Sequence, residues 1–467
     1  LDPTGRIGNS SPPLVVGEIV VIPPALLEGS RPTSMRNTPG RVMAFDVKTG
    51  KLKWRFNTIP SKGEFGYDTW LEGSAEYTGN TGVWAPMSAD LKRGLIYLPV
   101  EGATGDYYGG HRPGDDLFSS SLVAIDAKTG KRKWHFQIVH HDVWDRDNPT
   151  APVLMDIVVD GKKIEAVGQI TKQNFVYVFD RVSGKPVWPI EERPVPQTDV
   201  PGERTSPTQP HPTKPPAFDL QGNTANDPID FTPELRAPAI DAAKPYRLGS
   251  LWQPPSVIGA PDGTRGTISV PGSVGGANWE HGSFDPETGT LYVGSFTNPS
   301  NFGLVNDSAR SDMRYVMGGG GLPSLGGGVP QLGGLPFFKP PYNRITALDM
   351  NKGDLAWQVP GGDTPDNIKN HPALAGLNIP NTGGRARPAV MATKTLLFAT
   401  EGYGAKAVLH VHDKMTGERI ADIPLPGSVG GSPMTYMVNG KQYVALWVGR
   451  QPTLQAQLIT LALPTSR

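Results

Sequence analysis

Five times along the chain a short apolar, strand-forming run ends on an Asp that opens a fixed phrase: three residues, a Gly, three residues and, in four copies, a Trp. The runs are Val42 to Phe45, Leu122 to Ile125, Phe175 to Phe179, Ile345 to Leu348 and Val408 to His412. They lead into Asp46, Gly50, Trp54; Asp126, Gly130, Trp134; Asp180, Gly184, Trp188; Asp349, Gly353, Trp357; and Asp413, Gly417 with Ala421 in the Trp place. A strand, a Thr-Gly, Ser-Gly or Lys-Gly turn and a second strand make a hairpin. Hairpins repeated in this way predict an all-β propeller of four-stranded blades, because one blade buries only part of its apolar surface and must stack on its neighbours. The recurring Trp is suited to plug the space between adjacent blades.

Two stretches interrupt the repeat. Residues 189–255 are Pro-rich and polar and read as an insertion between blades, with one short helix that starts at Thr232 as N-cap, with Pro233 and Glu234 in its first turn. Residues 317–341 read GGGGLPSLGGGVPQLGGLPFFKPP from Gly318 on and hold too little bulk for a core, so they form either a cover over a site or a plain crossing. Between them lie Trp279 and the strand Thr290 to Ser295, which predict a blade without the strict phrase.

Composition narrows the function. Gly 57 and Pro 48 suit a loop-rich β protein, and 37% hydrophobic residues can fill a large core. Forty-four basic residues balance forty-four acidic ones, which gives no reason to expect nucleic acid or an anionic membrane as partner. No apolar run approaches the roughly 20 residues of a membrane span. The absence of Cys excludes disulfides, thiolate metal sites, a catalytic thiol and Cys-x-x-Cys-His haem attachment.

The residues that carry chemistry lie between blades. VHHDVWDRD, Val139 to Asp147, sets Asp142, Asp145 and Asp147 within six positions, which is tolerable only if they are solvated, paired with cations or bound to metal. Lys172 stands at the polar entry of an apolar strand in QITKQNFVYVF. It is either a solvated strand end or, with an Asp from the matching loop, one of a pair converging on the propeller axis, where such folds hold ligands.

Six segments together resemble the quinoprotein dehydrogenases that use pyrroloquinoline quinone (PQQ), most of all the membrane-type quinoprotein glucose dehydrogenase branch. They are NTGVWAPMSAD around Trp84, EGATGDYYGGHRPGD around Thr104, VHHDVWD, ITKQNFVYVFDR, SPTQPHPTKPPAFDLQG after Ser206 and GGSPMTYMVNGKQYV near the C-terminus. The resemblance implies an eight-bladed ring of which about six blades' worth is present here, the N-terminal blades with their cofactor-facing Arg and His residues being absent.

The same resemblance implies site residues. Asp145 matches the catalytic Asp that takes the substrate's hydroxyl proton beside the metal, Lys172 the lysine on the quinone oxygens, Trp84 the floor on which the cofactor stacks, and Thr104 a residue of the cofactor shell. Taken alone, Trp84 reads as a blade-core aromatic. Glu28, in ALLEGS, falls where an acidic metal ligand is expected. The family's metal-binding Asn aligns with Gly294 or Ser295, and Asn298 stands close enough to replace it. Asp147 matches the extra carboxylate of lanthanide-dependent relatives, which the glucose branch with its alkaline-earth ions also carries. The implied function is PQQ- and Ca2+- or Mg2+-dependent oxidation of an alcohol or sugar hydroxyl in the periplasm, with electrons passing to ubiquinone or cytochrome c. The alternative is a non-catalytic propeller scaffold, which needs neither Asp145 nor Lys172.

Overall fold

In the computed structural model the described residues are 7–8, 11–26, 29, 32–318, 328–402, 404–449 and 455–463. They form six antiparallel blades in chain order, spanning residues 14–57, 88–137, 153–188, 282–360, 390–424 and 434–462. Blade 2 shows the plan: Ser88–Asp90, Leu95–Pro99, Ser121–Asp126 and Arg132–Gln137 pair in sequence. Blades 1, 4 and 5 are also four-stranded, whereas the third and sixth have three strands, the third adding a single bridge between Phe179 and Pro186. No helix among the described residues is long and apolar enough to cross a membrane.

The repeated phrase has a physical cause on both sides of its Gly. Asp46, Asp126, Asp180 and Asp413 each fold their carboxylate back onto the turn, Asp126 accepting from the Thr129 amide and hydroxyl, both at 2.9 Å. The Gly that follows is left-handed, with φ between 68° and 77° at Gly50, Gly130, Gly184, Gly353 and Gly417. At the last four a Cβ would also fall 2.5–2.9 Å from the indole of the preceding copy, that of Trp54, Trp134, Trp188 and Trp357 in turn. Each Trp therefore lies flat on the next blade's turn. Trp54, Trp134 and Trp357 donate their indole N–H to the carbonyls of Ala127, Arg181 and Lys414, the residue just after the next blade's Asp. The expected inter-blade plug is present, and it is directional: blade to following blade.

Ser269 to Ser295 do not form a separate blade without the phrase. Thr290–Phe296 pairs with Asn343–Asp349, so these strands belong to the blade that carries Asp349 and Trp357. The long connection between Phe296 and Asn343 conceals that pairing in the sequence, and the blade that lacks the phrase is the sixth. Residues 319–327 of the Gly-rich stretch lie outside the described residues. The insertion holds the strand pair Ile190–Pro194 and Thr208–Pro212 and the helix Pro233–Ala243, whose Thr232 cap accepts from the Leu235 amide. Blade 6 packs on blade 5 through Leu409, Val444 and Leu446, while Trp447 and Leu458 are exposed. No hydrogen bond or ion pair among the described residues joins blade 6 to blade 1.

Because strands alternate in direction, the turns after the Asp residues lie at one end of the blades. The connections between blades, and those between second and third strands, emerge at the other. Trp84 and Asp145 lie on the first kind of connection, Thr104 and Lys172 on the second. The topology alone brings all four to one end of the fold.

Candidate active site

Lys172 is the centre of the site. Its Nζ lies 2.6 Å from Asp145 Oδ1 and 2.8 Å from Asp147 Oδ2, and 5.8 Å from the centroid of the Trp84 ring. Trp84 Nε1 donates to Asp147 Oδ2 at 3.3 Å, and Trp279 meets the Trp84 ring edge-on at 6.3 Å. Asp145 Oδ2 accepts from the Tyr107 hydroxyl at 3.1 Å, and Asp147 Oδ1 from the Gly102 amide at 2.7 Å. Thr104 is fully buried; its amide bonds the Gly79 carbonyl, and its hydroxyl has no partner among the described residues.

The other members of VHHDVWDRD hold Asp145 in place. Asp142, also buried, accepts from the Trp144 and Arg146 amides at 2.9 Å each and from Ser120 Oγ at 2.8 Å. Of the three neighbouring carboxylates, one thus caps backbone amides and two share a lysine, which resolves their mutual repulsion. Trp144 donates to the Gln253 carbonyl and stacks edge-on against Trp252. Arg146 reaches Ser269 Oγ and the Pro271 and Gly272 carbonyls. Fixed at these points, the loop carries Asp145 at φ 58°, a left-handed conformation that surrounding contacts must maintain.

The insertion is part of this scaffold, a role the sequence did not disclose. Glu203 accepts from His141 Nε2 at 2.7 Å and also bonds the Gly109 amide. Arg112, with no exposed surface, pairs with Asp116 and donates to the Thr104, Gly105 and Asp142 carbonyls, tying together the two loops that frame the site. Arg112 and Tyr107 carry no signal in sequence beyond their place in a matched segment, and Glu203 lies outside all of those segments.

Charge distinguishes Asp145 from Asp147. Burial drives Asp145 well above the ordinary carboxylate range, helped by Asp147 and Asp106 and opposed by Lys172. Asp147, though equally buried, is held below that range by Lys172 and the Gly102 amide. Burial pulls Lys172 down, but the two aspartates outweigh it and hold the ammonium charged. Burial and Asp147 also push Glu101 and Asp106 upward. One lysine faces four carboxylates, Glu101 buried and Asp106, Asp145 and Asp147 partly so, which leaves an excess of negative charge at the site.

The predicted metal ligands are divided. Glu28 lies outside the described residues. Gly294 has no room for a side chain, since a Cβ would collide with the Pro388 carbonyl, and Ser295 is committed to Asp219 at 2.6 Å. Asn298 accepts the Gly272 amide through its carbonyl and lines a separate pocket; it forms no hydrogen bond to Asp145, Asp147 or Lys172 among the described residues. No group of three acidic or His side chains among the described residues is arranged to hold a metal. The residues do fit a planar anionic cofactor: a half-buried indole face, a lysine above it, a buried Thr104 hydroxyl without a partner, and Gly275 packed so closely on Lys172 that a Cβ would fall 2.6 Å from its Cα.

A family model described as "PQQ: Glucose/ethanol/alcohol dehydrogenase, beta-propeller domain" matches residues 2–444. The glycerol dehydrogenase large subunit of Gluconobacter oxydans (strain 621H) is 32% identical over 495 residues, covering 98% of this chain and 64% of that protein. The quinoprotein glucose dehydrogenase of Escherichia coli (strain K12) is 30% identical, covering 95% of this chain and 56% of that one. Among solved structures, the quinohemoprotein alcohol dehydrogenase from Comamonas testosteroni is alike in fold, with a TM-score of 0.61 at 22% identity over 95% of this chain and 57% of that chain. The chain spans 56% to 64% of the length of these two curated relatives.

Proposed function

Since the chain belongs to the glucose/ethanol/alcohol dehydrogenase β-propeller family that uses PQQ, we propose that it oxidises a hydroxyl of a polyol or sugar, with Asp145 as general base. The observation that carries this reading is the contact of Asp145 with Lys172 beside the Trp84 face.

PQQ would supply a two-electron acceptor, and a bound Ca2+ or Mg2+ would polarise its reacting carbonyl. Trp84 would hold the planar ring by its indole face, stacking worth on the order of 1–3 kcal/mol by analogy with bases on aromatic side chains. Lys172 would hold a bound quinone through its positive charge, available to offset negative charge there. Asp145 receives the hydroxyl proton on Oδ2, because Oδ1 is committed to Lys172 while Oδ2 has only the 3.1 Å bond from Tyr107. Both oxygens of Asp147 are engaged, Oδ1 by the Gly102 amide and Oδ2 by Lys172 and Trp84, which leaves Asp145 as the freer base of the two. A divalent ion would offset the excess negative charge of Asp145, Asp147 and Glu101. Electrons pass to a separate ubiquinone or cytochrome acceptor, and the periplasm is the compartment of action.

The test is dye-linked turnover of glycerol and glucose after reconstitution with PQQ and calcium or magnesium. Failure of either substrate to react, together with no quenching of tryptophan fluorescence by added quinone, would overturn the assignment.

A further inference from the structure

A pocket separate from the Asp145 site opens at the same end of the propeller. It is walled by Val329, Leu335, Phe337 and Phe338, with Phe296 to Pro299 from the middle connection of blade 4 and Arg385 from the connection between blades 4 and 5. Segment 272–276 divides it from the quinone site: Gly272 donates its amide to the Asn298 carbonyl on one side, and Gly275 packs on Lys172 on the other.

Thr297 in the lining is bonded to Asp219 and Arg344, and Gln331 to the Val329 carbonyl, but two further donors of this pocket lack partners among the described residues. Tyr342 is 97% buried, being 3% exposed, and among the described residues neither its hydroxyl nor Asn298 Nδ2 has a hydrogen-bond partner. A buried polar group left unpaired costs about 1–3 kcal/mol, so two in one cavity need an explanation. Arg385 is the sole charged residue of the lining and forms no ion pair among the described residues. Its charge reaches the Tyr342 phenol, opposing the upward push of burial there. The lining holds no carboxylate.

The geometry points to a binding site for a small organic acid with a flat apolar body. Its carboxylate would take the Arg385 guanidinium, the Asn298 amide and the Tyr342 hydroxyl, and its body would lie against Phe337 and Phe338. A polyanion such as a phosphate ester does not suit a pocket with one cation and apolar walls. A neutral ligand would make no use of the charge that the exposed Arg385 brings to the rim of the pocket.

Calorimetric titration of the full chain with benzoate, and with benzamide as its neutral isostere, tests this inference. Benzoate should bind at least about tenfold more tightly than benzamide, the difference expected of one charge-assisted bond. Arg385→Gln should erase that difference. Tyr342→Phe should weaken benzoate while leaving the melting temperature unchanged or raised, because the hydroxyl it removes has no partner to lose. Equal affinity for the two probes, undiminished benzoate binding in Arg385→Gln, or no benzoate binding at millimolar concentration would each overturn the assignment.

Discussion

The ammonium of Lys172 and the carboxylate of Asp145 meet at 2.6 Å across 27 positions of sequence, and the same ammonium reaches Asp147 at 2.8 Å. One cation thus holds two carboxylates of a single loop, Asp145 being bonded also by Tyr107 and Asp147 by the Gly102 amide. Removing it should affect binding and fold together.

Lys172→Ala leaves two buried aspartates without their cation, which should cost about 3–5 kcal/mol of stability, as when one partner of a buried ion pair is deleted. PQQ retention and turnover should fall together, since the lysine would touch the quinone in ground and transition states alike. Excess PQQ with calcium should restore part of the rate. Retained affinity in a quenching titration would contradict this role for the lysine.

The inter-blade contacts make a prediction about stability alone. Trp134→Ala should destabilise the fold by about 3–5 kcal/mol, the usual cost of emptying a buried aromatic site. Gly184→Ala should also destabilise, because its Cβ would enter the Trp134 ring and its φ is 72°. Denaturant unfolding of both variants checks this, and a neutral Gly184→Ala would show that the ring does not rest on the turn.

The His141–Glu203 pair predicts a pH window. Burial lowers the His141 pKa, but Glu203 and Asp116 outweigh it and raise it from 6.5 to about 10. A raised histidine contributes stability that is complete below pH 6.5 and is lost as pH climbs through about 10. Glu203 is pushed up by burial but is held by His141 at about 2 against an ordinary 4.5, so its contribution is complete above pH 4.5 and fades as pH falls toward 2. Stability from this pair should therefore plateau between pH 4.5 and 6.5 and decline on both sides. Glu203→Gln should flatten the alkaline decline in denaturant midpoints measured across this range; an unchanged decline would assign it elsewhere.

The propeller was legible because its cause is local and repeated: an Asp-capped turn, a left-handed Gly and a Trp recur at fixed spacing, and each copy reinforces the others. The helix after Thr232 was legible for the same reason, its cap and Pro being adjacent in sequence. The assignment of Thr290 to Ser295 to a separate blade failed because strand partners separated by a long connection leave no periodic trace. Trp84, Asp145 and Lys172 were found by resemblance, and the structure brings these three together. Glu203, Arg112 and Tyr107 were not found, since their work lies in single contacts between distant segments. Asn298 shows the opposite limit: near the expected position along the chain, it is set behind segment 272–276 in another pocket.

The central claim is that Asp145 takes the proton and is not merely part of the scaffold. Asp145→Asn keeps the side chain's shape, its reach to Lys172 and its bond with Tyr107, and Asp147 remains to hold the lysine. The decisive measurement is PQQ affinity by fluorescence quenching alongside dye-linked turnover in this one variant. The account predicts quinone affinity close to that of the parent protein, with turnover lowered about a hundredfold to ten-thousandfold, the range of a general base. Full turnover in Asp145→Asn would contradict it.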